Sequence, residues 1–105
     1  MPEKRMLSKS IEMGVDENRT FTADLARWAE AWGNPASVDS CTLYDKTLGQ
    51  YVNEKLSGAA IVSGTEVESK RVTGLVDKHY YQLNVLVNFP SSQKLSGYFP
   101  IVCRL

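Results

Sequence analysis

From Tyr81 to Phe89 the chain alternates without interruption. Tyr81, Leu83, Val85, Val87 and Phe89 occupy the odd positions, and Gln82, Asn84, Leu86 and Asn88 stand between them. Successive side chains on an extended strand point to opposite faces, so a period of two puts the first set on one face. Val85, Val87 and Phe89 favour strands, while Asn84 and Asn88 tolerate solvent on the other side. Pro90-Ser91-Ser92-Gln93 then supplies turn chemistry, and Leu95 to Leu105 reads as a second strand that completes a hairpin. Pro100 has no N–H for a ladder, which predicts a bulge or an edge at that position.

The upstream chain repeats this grammar in shorter pieces. Arg19 to Leu25 alternates Phe21, Ala23 and Leu25 against polar residues, as a first strand would. Ser37 to Tyr44 reads as a strand ending in the turn Asp45-Lys46-Thr47-Leu48-Gly49, and Ala59 to Val62 as another. Thr65 to Val72 is polar but uninterrupted, and Gly64 and Gly74 bracket it as a half-exposed strand. Only Leu25 to Trp32 has helical spacing, with Leu25, Trp28 and Trp32 on one side and Gly33-Asn34-Pro35 ending it. Short strands with turn signals every 8–12 residues or so indicate a sandwich or barrel, with this helical turn as a cap. Residues 1–18 scatter Met6, Leu7, Ile11, Met13 and Val15 among charges and read as a flexible arm or, over Ser8 to Met13, an extra strand. The organisation expected is therefore an arm over residues 1–18 and one domain over residues 19–105.

Composition narrows the function classes. The chain has 105 residues, enough for one domain with its own core. Lys plus Arg number 12 and Asp plus Glu number 12, so the net charge is zero, and no basic stripe is present to track a nucleic acid. No stretch approaches the ~20 apolar residues of a membrane span. Met1-Pro2-Glu3-Lys4-Arg5 has positive charge but no apolar run behind it, so it does not read as a secretory signal. Cys41 and Cys103 are far apart in sequence and His79 is the only histidine, so four zinc ligands cannot be assembled. Buried free thiols are the expectation, with a disulfide as the alternative.

Val72-Thr73-Gly74-Leu75 and Tyr81-Gln82-Leu83-Asn84-Val85 carry a more specific resemblance. A leucine six residues before a tyrosine that opens a strand resembles the tyrosine corner of fibronectin type III and other immunoglobulin-like domains. The resemblance implies that Tyr81, with Leu75, covers the end of the core and that its hydroxyl bonds to backbone upstream, while Tyr80 points the other way. Over residues 16–105 the chain also resembles small proteins of the structural-gene regions of tailed bacteriophages and prophages. That likeness rests on Asp24 to Trp28, on Ala36-Ser37-Val38-Asp39-Ser40, on the Thr73-Gly74-Leu75 to Val85 stretch and on the closing hairpin from Lys94 to Leu105. It implies an all-β, immunoglobulin-like sandwich with a short helical turn near residues 25–32. It also implies a non-enzymatic virion or virion-assembly component: a capsid decoration, neck or tail-associated protein, in the virion or in the host cytoplasm during assembly. Its partners would be other virion proteins or copies of itself, with no nucleic acid, membrane or cofactor.

Residue chemistry offers little to an enzyme. His79 lies in Asp77-Lys78-His79-Tyr80, a turn without a nucleophile elbow, and reads as a surface histidine. Asp16-Glu17-Asn18 matches no calcium loop. Glycines stand singly, as turns require, and form no phosphate loop. No catalytic, cofactor or metal residue is therefore assigned. Trp28 and Trp32 are the candidate interaction surface, either as lid packing or as a ligand-stacking platform. Two other functions compete with the virion role: a host binding module of the fibronectin type III kind for protein or carbohydrate, and a small-ligand carrier built on the two tryptophans.

Overall fold

The structure, a computed structural model, describes residues 5–104. In chain order the elements are β1 (Arg5–Met6), β2 (Ile11–Met13), β3 (Thr22–Asp24), α1 (Ala26–Trp32), β4 (Ser37–Asp45) and β5 (Gln50–Tyr51). A single 3-10 turn (Asn53–Lys55) precedes β6 (Leu56–Ser57), β7 (Ile61–Ser63), β8 (Glu66–Glu68), β9 (Arg71–Val72), β10 (Tyr80–Asn88) and β11 (Lys94–Cys103). The chain is thus mostly β, gathered into several sheets.

The largest sheet runs β1-β11-β10-β4-β5, with β2 also paired to β11. β10 and β11 form the hairpin expected from sequence, antiparallel from Tyr80 opposite Val102 to Asn88 opposite Lys94. β10 pairs on its other side with β4. A second sheet runs β3-β8-β7, and β6 pairs with β9. The inward side chains of β10 (Tyr81, Leu83, Val85, Val87) meet Phe21, Ala23, Val67 and Val72 from the opposing strands and Phe99 and Ile101 from β11. All of these are nearly or fully buried. Phe21 and Phe99 bring their ring centroids to 5.8 Å across this core.

Two local devices keep the pattern in register. In β4 the alternation would break, since Val38 is even-numbered while Cys41, Leu43 and Asp45 are odd. A bulge lies where the register with β10 shifts between Leu86 and Val87, so Asp39 is the extra residue. That single insertion turns Val38 back toward the core, against which it packs. The second device is Pro100. Cys103 N–H donates to the His79 carbonyl on the β10 side. Alternation then points the backbone nitrogens of even-numbered β11 residues away from β10. The ring of Pro100 therefore faces the gap between the two short parallel strands, β1 opposite Gly97–Tyr98 and β2 opposite Ile101–Cys103. No ladder bond is forfeited, which is how a proline sits inside a ten-residue strand.

Other boundaries moved. The predicted strand from Thr65 to Val72 is two strands, β8 and β9, because Ser69 leaves the ladder. Its N–H donates to the Phe21 carbonyl, its hydroxyl accepts from Phe21 N–H and donates to the Lys70 carbonyl, and the residue is buried. A serine that satisfies backbone groups itself offers the chain an alternative to continued pairing. The strand expected over Arg19 to Leu25 is cut to Thr22–Asp24, since Asp24 Oδ1 accepts from Ala26 N–H and from the Thr65 hydroxyl and so begins α1. Residues 5–6 and 11–13 form β1 and β2 on the free side of β11. Cys41 and Cys103 are both buried free thiols, and burial pushes both thiols up, so they stay protonated at neutral pH.

Gly97 of β11 lies under the Leu7 side chain, which follows β1. A Cβ at this position would lie 2.7–2.8 Å from the Leu7 side chain. Gly97→Ala is expected to push the Leu7 segment off β11 and to cost about 1–3 kcal/mol, the usual range for overpacking. Hydrogen exchange at the Leu7 amide, which donates to the Tyr98 carbonyl at 2.8 Å, should report the release, and Leu7→Ala in the same chain should restore protection elsewhere in β11.

Candidate functional site: a buried polar cluster and an outward tyrosine face

One end of the large sheet holds a buried polar cluster. Asp45 ends β4 and has no solvent-exposed surface. Its Oδ1 accepts from the N–H groups of Thr47 (2.9 Å) and Leu48 (3.0 Å), so the carboxylate closes the turn that follows. Oδ2 lies 2.8 Å from His79 Nδ1. Burial by itself would push the carboxyl up. The hydrogen bond from His79, the Leu48 N–H, the histidine's charge and the Thr47 N–H outweigh it and hold Asp45 below its ordinary value. An ionised carboxylate only accepts, so Nδ1 carries the hydrogen. The Tyr81 ring stacks on His79 with centroids 6.2 Å apart.

Tyr81 is fully buried, as is Leu75 within a few per cent. The Val76 N–H donates to the Tyr81 hydroxyl at 2.9 Å, five residues upstream. Burial raises the phenol above its ordinary value, and the neighbouring Asp45 carboxylate adds to that, so it stays protonated. His79 is tied in through its backbone too, since its carbonyl accepts from Cys103 N–H. The Tyr80 N–H donates to the Thr47 hydroxyl. The cluster thus joins the β4–β5 turn, the loop before β10 and the end of β11.

The sequence reads His79 as a surface histidine, whereas its side chain is only 19% exposed and is bonded to Asp45, brought in by the pairing that sets Asp45 opposite Tyr81. Among the described residues no serine, threonine or cysteine side chain hydrogen-bonds the histidine ring, and no group of three or more His, Cys, Asp or Glu could hold a metal. An aspartate that orients a histidine is half of a catalytic arrangement. Here the same carboxylate is spent on two backbone donors of a turn, which is the chemistry of a staple.

The outward face of the large sheet is different in kind. Four of the five tyrosines, Tyr44, Tyr51, Tyr80 and Tyr98, lie there on β4, β5, β10 and β11. Tyr44 stands opposite Tyr51 with ring centroids 5.0 Å apart. Tyr51 and Tyr80 are more than half exposed, and so is Met6 beside Tyr98. Between the rings lie Gln82 opposite Tyr44 and Asn84 opposite Thr42 and Tyr98. A shallow hollow of about 70 Å³ opens among Ser10, Lys46, Tyr80, Gln82, Tyr98 and Pro100. A wider open depression of about 670 Å³ lies at the rim, lined by Asp77, Lys78, Tyr80, Val102 and Arg104.

The tryptophans sit elsewhere. Trp28 and Trp32 are partly buried and pack against the core. Trp32 meets Phe89 edge to face at 5.2 Å, and the Arg27 guanidinium lies 5.8 Å from the Trp28 ring. The Ser91 hydroxyl donates to the Trp32 carbonyl, which fixes α1 on the β10–β11 turn. Phe89 belongs to the inward set, so Trp32 seals the edge of the core on the side away from the tyrosines. The tyrosine face was overlooked in the sequence although its sign was present: Tyr80 sits next to Tyr81 and must point outward if Tyr81 points in.

Neither a protein-family model nor a curated protein matches this chain. No helix among the described residues is long and apolar enough to cross a membrane.

Proposed function

We propose that this chain is a non-enzymatic, immunoglobulin-like interaction domain that serves as a structural protein of a tailed phage or prophage particle. The observation that supports the fold reading is the bond from Val76 N–H to the Tyr81 hydroxyl beside buried Leu75. A tyrosine corner, on which the resemblance rests, would make such a bond. Two packed groups of strands, with β2 parallel to the last strand, agree with such a sandwich. The role follows from the resemblance, and the polar cluster supports its non-catalytic side, since Asp45 and His79 are committed to turn and strand ends. The test is mass spectrometry on density-purified particles induced from the source strain. The chain is expected in stoichiometric amounts beside capsid or tail proteins. Normal particles without it would overturn the virion role.

A second reading, a host binding module for protein or carbohydrate, draws on the tyrosine face. Exposed tyrosines with amides and hydroxyls between them form the kind of surface that binding proteins use for contact at low entropic cost. Binding by the purified chain to a glycan or protein of the host, in the absence of particles, would favour it.

A further inference from the structure

We infer that the outward tyrosine face is the contact through which two copies of this chain pair, sheet against sheet, about a two-fold axis near Asn84. This deepens the interaction reading above and rests on it. Asn84 stands in the middle of the face, on the strand between β4 and β11. Only 8% of it is exposed, and its Oδ1 has no hydrogen-bond partner. An orphaned buried acceptor costs about 1–3 kcal/mol until a donor reaches it. An amide carries both donor and acceptor, so a second Asn84 is its natural complement, and a two-fold contact places like residues near the axis against each other.

Charge and shape select the same occupant. The charged residues on the face lie at its margins: Lys46, Glu12 paired with Arg104 at 3.0 Å, and Lys94 paired with Asp39 at 3.5 Å. A neutral face meets its own copy without repulsion. Tyrosine and methionine are enriched in interface cores, and Tyr44, Tyr51, Tyr80, Tyr98 and Met6 supply both. The hollow between the rings holds about 70 Å³, far below the ~300–1,000 Å³ of a small-ligand pocket, and the 670 Å³ depression beside Tyr80 is open and lies at the rim of the face. A nearly flat face instead suits two sheets stacking about 10 Å apart. The three long strands β4, β10 and β11, about 4.8 Å apart with some eight residues at about 3.3 Å each, give a footprint of roughly 400 Å². That is below the ~800 Å² per partner of a standard interface, so the pair should be concentration-dependent, in the micromolar range, and not obligate.

Sedimentation velocity on the purified full chain from micromolar to millimolar concentration tests this. The wild type should pass from monomer to dimer. Tyr80→Glu, a change at an exposed side chain that leaves the core intact, should weaken the dimer at least about tenfold by burying an unpaired charge in the contact. Asn84→Asp should do the same, with its circular dichroism and melting curve checked against the wild type. Ile61→Glu, on the exposed side of β7 in the other sheet, should leave the dimer unchanged. A wild type that stays monomeric throughout, or a dimer broken by Ile61→Glu and untouched by Tyr80→Glu, would overturn the inference. So would binding of a neutral oligosaccharide at Tyr80 and Tyr98 by a chain that remains monomeric. Particle composition is a separate measurement, so failure of the dimer and failure of the virion role are read independently.

Discussion

Asp45→Ala is expected to remove about 3–5 kcal/mol of stability, because it deletes a fully buried carboxylate and strips a partner from the largely buried His79 ring and from two turn amides at once. A domain of this size has about 5–15 kcal/mol in total. The loss should lower the melting temperature by roughly 15–30 °C, given about 4–8 °C per kcal/mol. Thermal unfolding followed by far-UV circular dichroism checks it, and a shift below about 3 °C would show that the cluster is not a staple. The same carboxylate predicts a pH signature. Its folded-state value is depressed below the ordinary 3.8, by the His79 and backbone donors prevailing over burial. Its contribution is therefore fully present above the unfolded value and is lost as pH falls through the folded one. Stability should hold from pH 7 to about pH 5 and fall below about pH 4, and Asp45→Asn should remove part of that acid dependence. A wild type and an Asp45→Asn chain with parallel acid profiles would contradict the assignment.

Tyr81 carries the second large effect, and two substitutions divide it. Tyr81→Phe keeps the ring and leaves the Val76 N–H without its acceptor, an expected cost of about 1–3 kcal/mol. Tyr81→Ala also empties the space the ring fills among the strand ends and should cost about 3–5 kcal/mol. Chemical denaturation of both chains separates the hydroxyl from the ring. If Tyr81→Phe were neutral, the bond to Val76 would contribute nothing and the role of Tyr81 would be packing alone. If the two variants cost the same, the hydroxyl would be the whole effect.

The outer face is expected to tolerate change far better. Tyr80 is 55% exposed, so Tyr80→Glu should alter stability by no more than about 0.5 kcal/mol while altering association. The contrast between neighbours Tyr80 and Tyr81 follows from strand alternation alone: one residue along the chain reverses the side of the sheet.

That alternation is also why so much of the hairpin was legible. Tyr81 to Phe89 and the turn after it specify a strand, its buried side and its partner within one continuous stretch, because local periodicity and turn chemistry act between near neighbours. The helix over Ala26–Trp32 was visible for the same reason, through spacing and the Gly33-Asn34-Pro35 stop. Less was legible where a side chain bonds to a distant segment. Ser69 splits one predicted strand into two by serving Phe21, 48 residues away. Asp39 is a bulge only because β10 lies beside it.

The candidate site divides along the same line. Which residues point out from β10 is decided by the sequence by itself, since the period of two has only two outcomes. So is the neutrality of the chain, and so is the lack of enough Cys and His for a zinc site. Only the tertiary structure decided that Asp45 holds His79. It likewise decided that Tyr44, Tyr51, Tyr80 and Tyr98 share one face and that Asn84 lies unsatisfied among them. The reason is physical: these relations join strands that are far apart in sequence, and their register is set by the packing of a common core, which no single segment encodes.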